Sequence, residues 1–262
     1  MQGSVEVRAC AIIAAIISEP SQVRQMDRRT FIKSASAAAL AAPVARSADG
    51  AALKAAKQDF VFARVRYSSG NWDADPKMPA NLLNSLVEYT SIKVDPCEKV
   101  VALDSPQLFA FPFTYLTGNK VVRFTSAERE NLARYIRNGG FLFVDDCNHD
   151  VDGVFAKTFE QEIKTIFAGK DGLKKIRNNH KLYKSFFDFP EGPPNTSHEL
   201  NGWGDEMIHD YLKAVEINGR VGLLYSNKDY GCEWNFDSKN KRFSTVDPTR
   251  FGVNIIVYAL TQ

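Results

Sequence analysis

Apolar residues recur along the chain in two rhythms, short continuous or alternating runs that suit strands and three-to-four spacings that suit helices, and the two take turns. Phe60-Val61-Phe62-Ala63-Arg64-Val65-Arg66-Tyr67 begins almost continuously apolar and ends alternating, which predicts a first buried strand. Ala80 to Tyr89 carries Leu82, Leu83, Leu86 and Val87 on one stripe and predicts a helix. Lys99 to Asp104 returns as a short strand, 106–112 is a Phe-rich connection, and Phe113 to Leu116 is another extended piece. Thr125-Ser126-Ala127-Glu128 spells a capping box, so a helix starts there. It runs to Asn138 with Leu132, Tyr135 and Ile136 inward, and Gly139 ends it. A strand, Phe141 to Val144, follows at once; Val154 to Phe167 is a helix with Phe155, Phe159, Ile163 and Ile166 at helical spacing. After an irregular stretch, 168–204, come strands at about 214–217 and 221–225, a polar excursion containing Gly231-Cys232-Glu233-Trp234, and a closing helix, 251–260, apolar on nearly all sides. Strands alternating with helices imply an α/β sandwich around a mostly parallel sheet.

The strand at Phe141 has a second property: it runs straight into Asp145-Asp146-Cys147-Asn148-His149-Asp150. In open parallel sheets ligands gather outside the carboxyl ends of strands, so the candidate catalytic residues are Asp146, Cys147 and His149. The first strand delivers Arg66 and Tyr67 to a polar turn containing Trp72, Asp73 and Asp75. The expected polar cleft is lined by Arg66, Tyr67, Trp72, Asp145, Asp146, Glu233 and Trp234. Successive strand residues point to opposite faces, so only one of Asp145 and Asp146 enters it, and Asp146 is the expected one.

Composition narrows the classes. The 33 basic and 31 acidic residues leave a net charge of +2, so no global field favours nucleic acid, and none is expected as a partner. The basic stretch 170–184 is interleaved with Asn and Gly and reads as a solvated face. Asp27-Arg28-Arg29-Thr30-Phe31-Ile32-Lys33 followed by an Ala-rich run has the parts of a twin-arginine export signal. The expected organisation is an upstream extension over 1–25, a signal peptide over 26–48 and one folded domain over 59–262. The mature protein is then periplasmic or secreted, delivered by the twin-arginine translocase, without stable membrane insertion.

Arg66-Tyr67, Asn81-Leu82-Leu83, Tyr115-Leu116-Thr117-Gly118, Glu128, Gly139-Gly140-Phe141-Leu142, Asp145-Asp146-Cys147, Tyr225-Ser226, Gly231-Cys232-Glu233-Trp234 and Gly252-Val253-Asn254-Ile255 together resemble the bacterial domain of unknown function 4159 family, from about Phe60 to Leu260. The resemblance implies a class I glutamine amidotransferase-like fold, a flavodoxin-like three-layer sandwich, and leaves the activity open. Asn119 stands where many relatives carry His, which removes any imidazole role at that position. The fold analogy puts 145–148 where glutaminases carry a nucleophile elbow, yet the glycines flanking their cysteine are absent, so no triad carries over.

Cys147 has acids beside it, which raise a thiol pKa, and is expected to be a structural, poorly nucleophilic residue. Asp145, Asp146, His149, Asp150 and Asp152 are metal-ligand types, but their spacing matches no known motif and turn formation explains most of them; no metal or cofactor is expected. The one bridge available to an exported chain is expected between Cys147 and Cys232. Two functions remain: a binding or interaction module whose ligand is a carbohydrate or another envelope protein, and a periplasmic hydrolase using Asp146 or Cys147 on a glycan or peptidoglycan-type substrate.

Overall fold

The computed structural model describes residues 59–236 and 246–262. The expected signal peptide and the expected boundaries at 1–25 and 26–48 lie outside the described residues. Seven strands form one sheet: β1 (Ala63–Arg66), β2 (Lys99–Ala102), β3 (Phe113–Gly118), β4 (Phe141–Asp146), β5 (Lys174–Lys175), β6 (Lys213–Ile217) and β7 (Arg220–Ser226). Their order is β2-β1-β3-β4-β7-β6-β5, parallel from β2 through β7 and antiparallel beyond. Among the described residues the α-helices are α1 (Met78–Tyr89), α2 (Ser126–Arg137), α3 (Val154–Ile166), α4 (Ser197–Leu200), α5 (Tyr230–Trp234) and α6 (Val246–Thr261). This is the flavodoxin-like three-layer sandwich expected.

Side-chain alternation along β4 makes the layers. Phe141 and Phe143 pack in the core that holds Leu82 and Leu83 of α1, Trp234 of α5 and Phe251 of α6; Leu142 and Val144 pack in the other core, with Leu132 and Ile136 of α2 and Phe159 of α3. All six β4 residues are buried, because an interior parallel strand is covered on both faces. The α1 stripe differs from the periodic reading: the helix starts two residues earlier, with proline in its first turn, so Met78 joins the buried set, and Val87 lies exposed at the edge of the stripe. The α2 capping box forms, Thr125 Oγ1 accepting from the Glu128 amide at 3.2 Å and Glu128 Oε2 accepting from the Thr125 amide at 2.7 Å. The buried Glu128 carboxylate also accepts from the Ser68 amide and hydroxyl, tying the loop after β1 to α2.

Beyond β4 the parallel rule stops. Asn218 and Gly219 both take positive φ, 54° and 75°, and form the two-residue turn that joins β6 to β7 as an antiparallel hairpin. Because β7 runs parallel to β4, the carboxyl ends of β1, β3, β4 and β7 share one rim. The excursion after β7 is the short helix α5, capped by Asp229, rather than an open polar loop.

Candidate functional site: a thiol and carboxylate cluster at the strand rim

Three chain segments meet where the parallel strands end. The loop after β1 brings Asp75, the end of β4 brings Asp145 and Cys147, and the turn from β7 into α5 brings Asp229 and Cys232. Asp75 and Asp229 both sit in the left-handed region at φ 57°, a conformation that short polar side chains tolerate and that turns each carboxylate inward. Arg64 fixes the first loop from beneath. Its buried guanidinium donates to Glu98 Oε2 at 2.8 Å, to the Ala74 carbonyl at 2.6 Å and to the Asp75 carbonyl at 3.2 Å. The third loop is fixed by Lys228, also buried, whose ammonium bonds Glu199 Oε1 and the His209 carbonyl.

Within the cluster the Cys147 thiol donates to Asp75 Oδ2 and the Cys232 thiol to Asp75 Oδ1, each at 3.6 Å. One donor atom from each of Asp75, Cys147, Asp229 and Cys232 falls within 4.8 Å of every other. Asp145 approaches from below, its Oδ2 accepting from the Gly231 amide at 2.6 Å. A Cβ on Gly231 would stand 2.7 Å from Asp75 Oδ2, 2.8 Å from the Tyr115 hydroxyl and 3.3 Å from Asp145 Oδ2, so only glycine lets α5 close over these oxygens. The Tyr115 hydroxyl and Asp145 Oδ1 are buried without a well-formed hydrogen bond. His198 Nε2 lies 3.1 Å from Asp229 Oδ2.

So many acids in a dry site disfavour one another's charge. Burial, and after it the Cys147, Arg64 and Cys232 contacts that oppose it, leave the Asp75 pKa raised. Burial raises Asp145 and Asp229 as well, with neighbouring carboxylates adding to the effect. A hydrogen bond from Cys232 favours the Cys147 thiolate, but burial and the Asp229, Asp75 and Asp145 charges outweigh it and hold the thiol above its ordinary value. The Cys232 thiol is pushed up by its bond to Cys147, by burial and by the same acids.

The residues named from the sequence divide into three groups. Asp145 and Cys147 are in the cluster. The pleat sends Asp145 to the Phe143 face and Asp146 to the Val144 face, where Asp146 accepts from the Asn148 amide and the Asn227 side chain; it is Asp145 that faces Asp75. The others serve nearby packing. Arg66 is exposed, Tyr67 donates to the Thr117 carbonyl, and Trp72 packs partly against the α2–α3 core. Glu233 receives the Ser197 amide and hydroxyl, and the Trp234 indole donates to the Pro248 carbonyl. His149 is buried with Nδ1 against the Asn227 carbonyl at 2.6 Å and Nε2 against the Met207 carbonyl at 2.9 Å, so both ring nitrogens are taken up by backbone contacts. The expected Cys147–Cys232 bridge is corrected: both are free thiols, joined through Asp75 by hydrogen bonds rather than to each other by a covalent bond.

Asp75 and Asp229 escaped the sequence reading because they are far from Cys147 along the chain. The signal for Asp229 was present as an acid placed to cap the helix that carries Cys232. No curated protein matches the sequence. A family model described as "Domain of unknown function (DUF4159)" matches residues 61–260, and the chain belongs to that family.

Proposed function

We propose that the chain is an exported binding module on a class I glutamine amidotransferase-like fold, with its binding site at the thiol and carboxylate rim and without amidotransferase or thiol-hydrolase activity. One observation carries the reading: the Cys147 thiol donates a hydrogen bond to a carboxylate, Asp75, and every one of the four histidines has another engagement. His149 holds two carbonyls, His209 pairs with Asp205 at 2.8 Å, His198 pairs with Asp229, and His180 lies 3.7 Å from Glu216. A nucleophilic cysteine needs a base that accepts its proton and a setting that favours thiolate; acids on three sides supply the reverse.

The test is alkylation of native protein under reductant-free, metal-free conditions near neutral pH. Slow labelling of Cys147, comparable to a buried thiol, is expected. Labelling as fast as a free thiolate would sink the reading and promote the hydrolase alternative, acting on a glycan or peptidoglycan-type substrate. Export is read from Arg28 and Arg29: changing both to Lys is expected to leave the chain unprocessed in the cytoplasm, and normal export of that variant would remove the envelope location.

A further inference from the structure

We propose that Asp75, Cys147, Asp229 and Cys232 form a binding site for one thiophilic divalent cation, zinc being the expected ion. The inference deepens the binding-module reading and rests on it, because a catalytic Cys147 would need its thiolate free.

The donor set argues first. Two sulfurs and two carboxylates are the ligand types of tetrahedral zinc, and thiolate selects zinc or cobalt over magnesium or calcium. Distances argue second. A tetrahedral ion with sulfur at about 2.3 Å and oxygen at about 2.1 Å sets its sulfur-to-oxygen edges at about 3.6 Å. Cys147 Sγ stands 3.6 Å from Asp75 Oδ2 and Cys232 Sγ 3.6 Å from Asp75 Oδ1, so whichever oxygen is the ligand already sets one such edge. The widest separation in the set, no more than 4.8 Å, has to close by about 1 Å, within the reach of side-chain rotation.

Charge argues third, and independently. Asp75, Asp145 and Asp229 are buried close together; the buried Arg64 and Lys228 beside their loops are bonded to Glu98 and two carbonyls and to Glu199, and His198 Nε2 faces Asp229 Oδ2. The Tyr115 hydroxyl, which stands beside Asp75 Oδ2 and Asp145 Oδ2 at Gly231, and Asp145 Oδ1 both belong to fully buried residues and have no well-formed hydrogen bonds of their own. Carboxylates placed this closely without a cation repel one another. A bound divalent ion turns that repulsion into attraction, with Asp145 and Tyr115 positioned behind the ligands rather than on the ion.

The proton balance is simple. The S–H bonds of Cys147 and Cys232 break as the ion–sulfur bonds form, any proton held by the Asp75 or Asp229 carboxyl leaves as its oxygen ligates, all of these protons pass to solvent and no electron moves, so binding strengthens as pH rises. Another grouping, His149 with Asp205 and His209, also has ligand types within reach, but both His149 nitrogens already face carbonyl oxygens.

The full chain, purified under reductant and stripped with chelator, is titrated with Co²⁺. The expected result is one equivalent bound with sulfur-to-cobalt charge-transfer absorption and tetrahedral ligand-field bands, displaced by one equivalent of Zn²⁺ and not by Mg²⁺ or Ca²⁺. Cys147→Ser and Cys232→Ser are each expected to weaken binding at least about tenfold and to reduce the charge-transfer band. If a serine variant does not fold, the same site is read on the unsubstituted chain, where one equivalent of Zn²⁺ is expected to slow alkylation of both cysteines at least about tenfold. Absence of charge transfer, full binding in folded serine variants, or displacement by Mg²⁺ overturns the site, as does unchanged alkylation with zinc present. Fast alkylation of metal-free Cys147 refutes the non-hydrolytic reading; slow alkylation with no cobalt signal refutes the ion site alone.

Discussion

Asp146→Asn separates charge from shape at one buried position. The carboxyl is fully buried, Oδ1 taking the Asn148 amide at 3.0 Å and Oδ2 the Asn227 side-chain amide at 3.2 Å. Burial is the main cause that raises its pKa from 3.8 to about 7, with those two hydrogen bonds opposing and Asp150 and Asp205 adding. Between those two values the folded protein keeps a proton that the unfolded chain has released. The contribution is therefore fully present below about pH 4, falls as pH rises to about 7, and stays lost above it. A gap of that size corresponds to about 4 kcal/mol as an upper bound. Asparagine has no charge to bury, so its curve lacks this slope. Its NH₂ facing the Asn227 NH₂ costs roughly 1–2 kcal/mol at every pH. The variant is thus expected to be less stable than the unsubstituted protein at about pH 4 and more stable, by roughly 2 kcal/mol, at about pH 8. Asp75, Asp145 and Asp229 give slopes of the same sign in both proteins and cancel in the difference. Urea unfolding of metal-free protein across this range measures it. A difference that stays constant with pH would refute the assignment of that charge penalty to Asp146.

Gly231→Ala places a methyl group against Asp75 Oδ2 and the Tyr115 hydroxyl, so it is expected to cost about 1–3 kcal/mol in thermal or urea unfolding despite alanine's better helix propensity. The same variant is expected to weaken cobalt binding, and unchanged stability would show that α5 does not close tightly over the cluster. Thr125→Ala removes the hydroxyl that caps α2 and is expected to cost about 1 kcal/mol, read as a lower urea midpoint at unchanged slope. An unchanged midpoint would mean that the Ser68 and Thr125 amides held by Glu128 suffice to start the helix.

What the sequence determined by itself is the layered architecture and its local punctuation. Period-2 and period-3.6 patterns are consequences of backbone geometry, so Phe141 to Val144 had to be an interior strand and Leu132, Tyr135 and Ile136 the inner face of a helix wherever the chain put them. The α2 capping box was legible for the same reason, since its partners are three residues apart. The turn Asn218-Gly219 is equally local but went unread in the sequence; its two left-handed residues make the hairpin that ends the parallel part of the sheet. The address of the cluster, the carboxyl end of β4, was legible from the burst of polar residues after an apolar run.

Membership of the cluster was decided only in three dimensions. Asp75 and Asp229 reach Cys147 because parallel strands separated by long crossovers end on one rim, and no sequence spacing encodes that meeting. Which of Asp145 and Asp146 faces Asp75 depended on which sheet face the α1, α5 and α6 layer covers, a matter of global handedness. Arg64 reads in the sequence as one more strand residue. Burial beneath the Asp75 loop, with three oxygen partners, is what makes it the support of the site, because a guanidinium out of water has to find acceptors and the Ala74 and Asp75 carbonyls are the ones that tertiary packing brings.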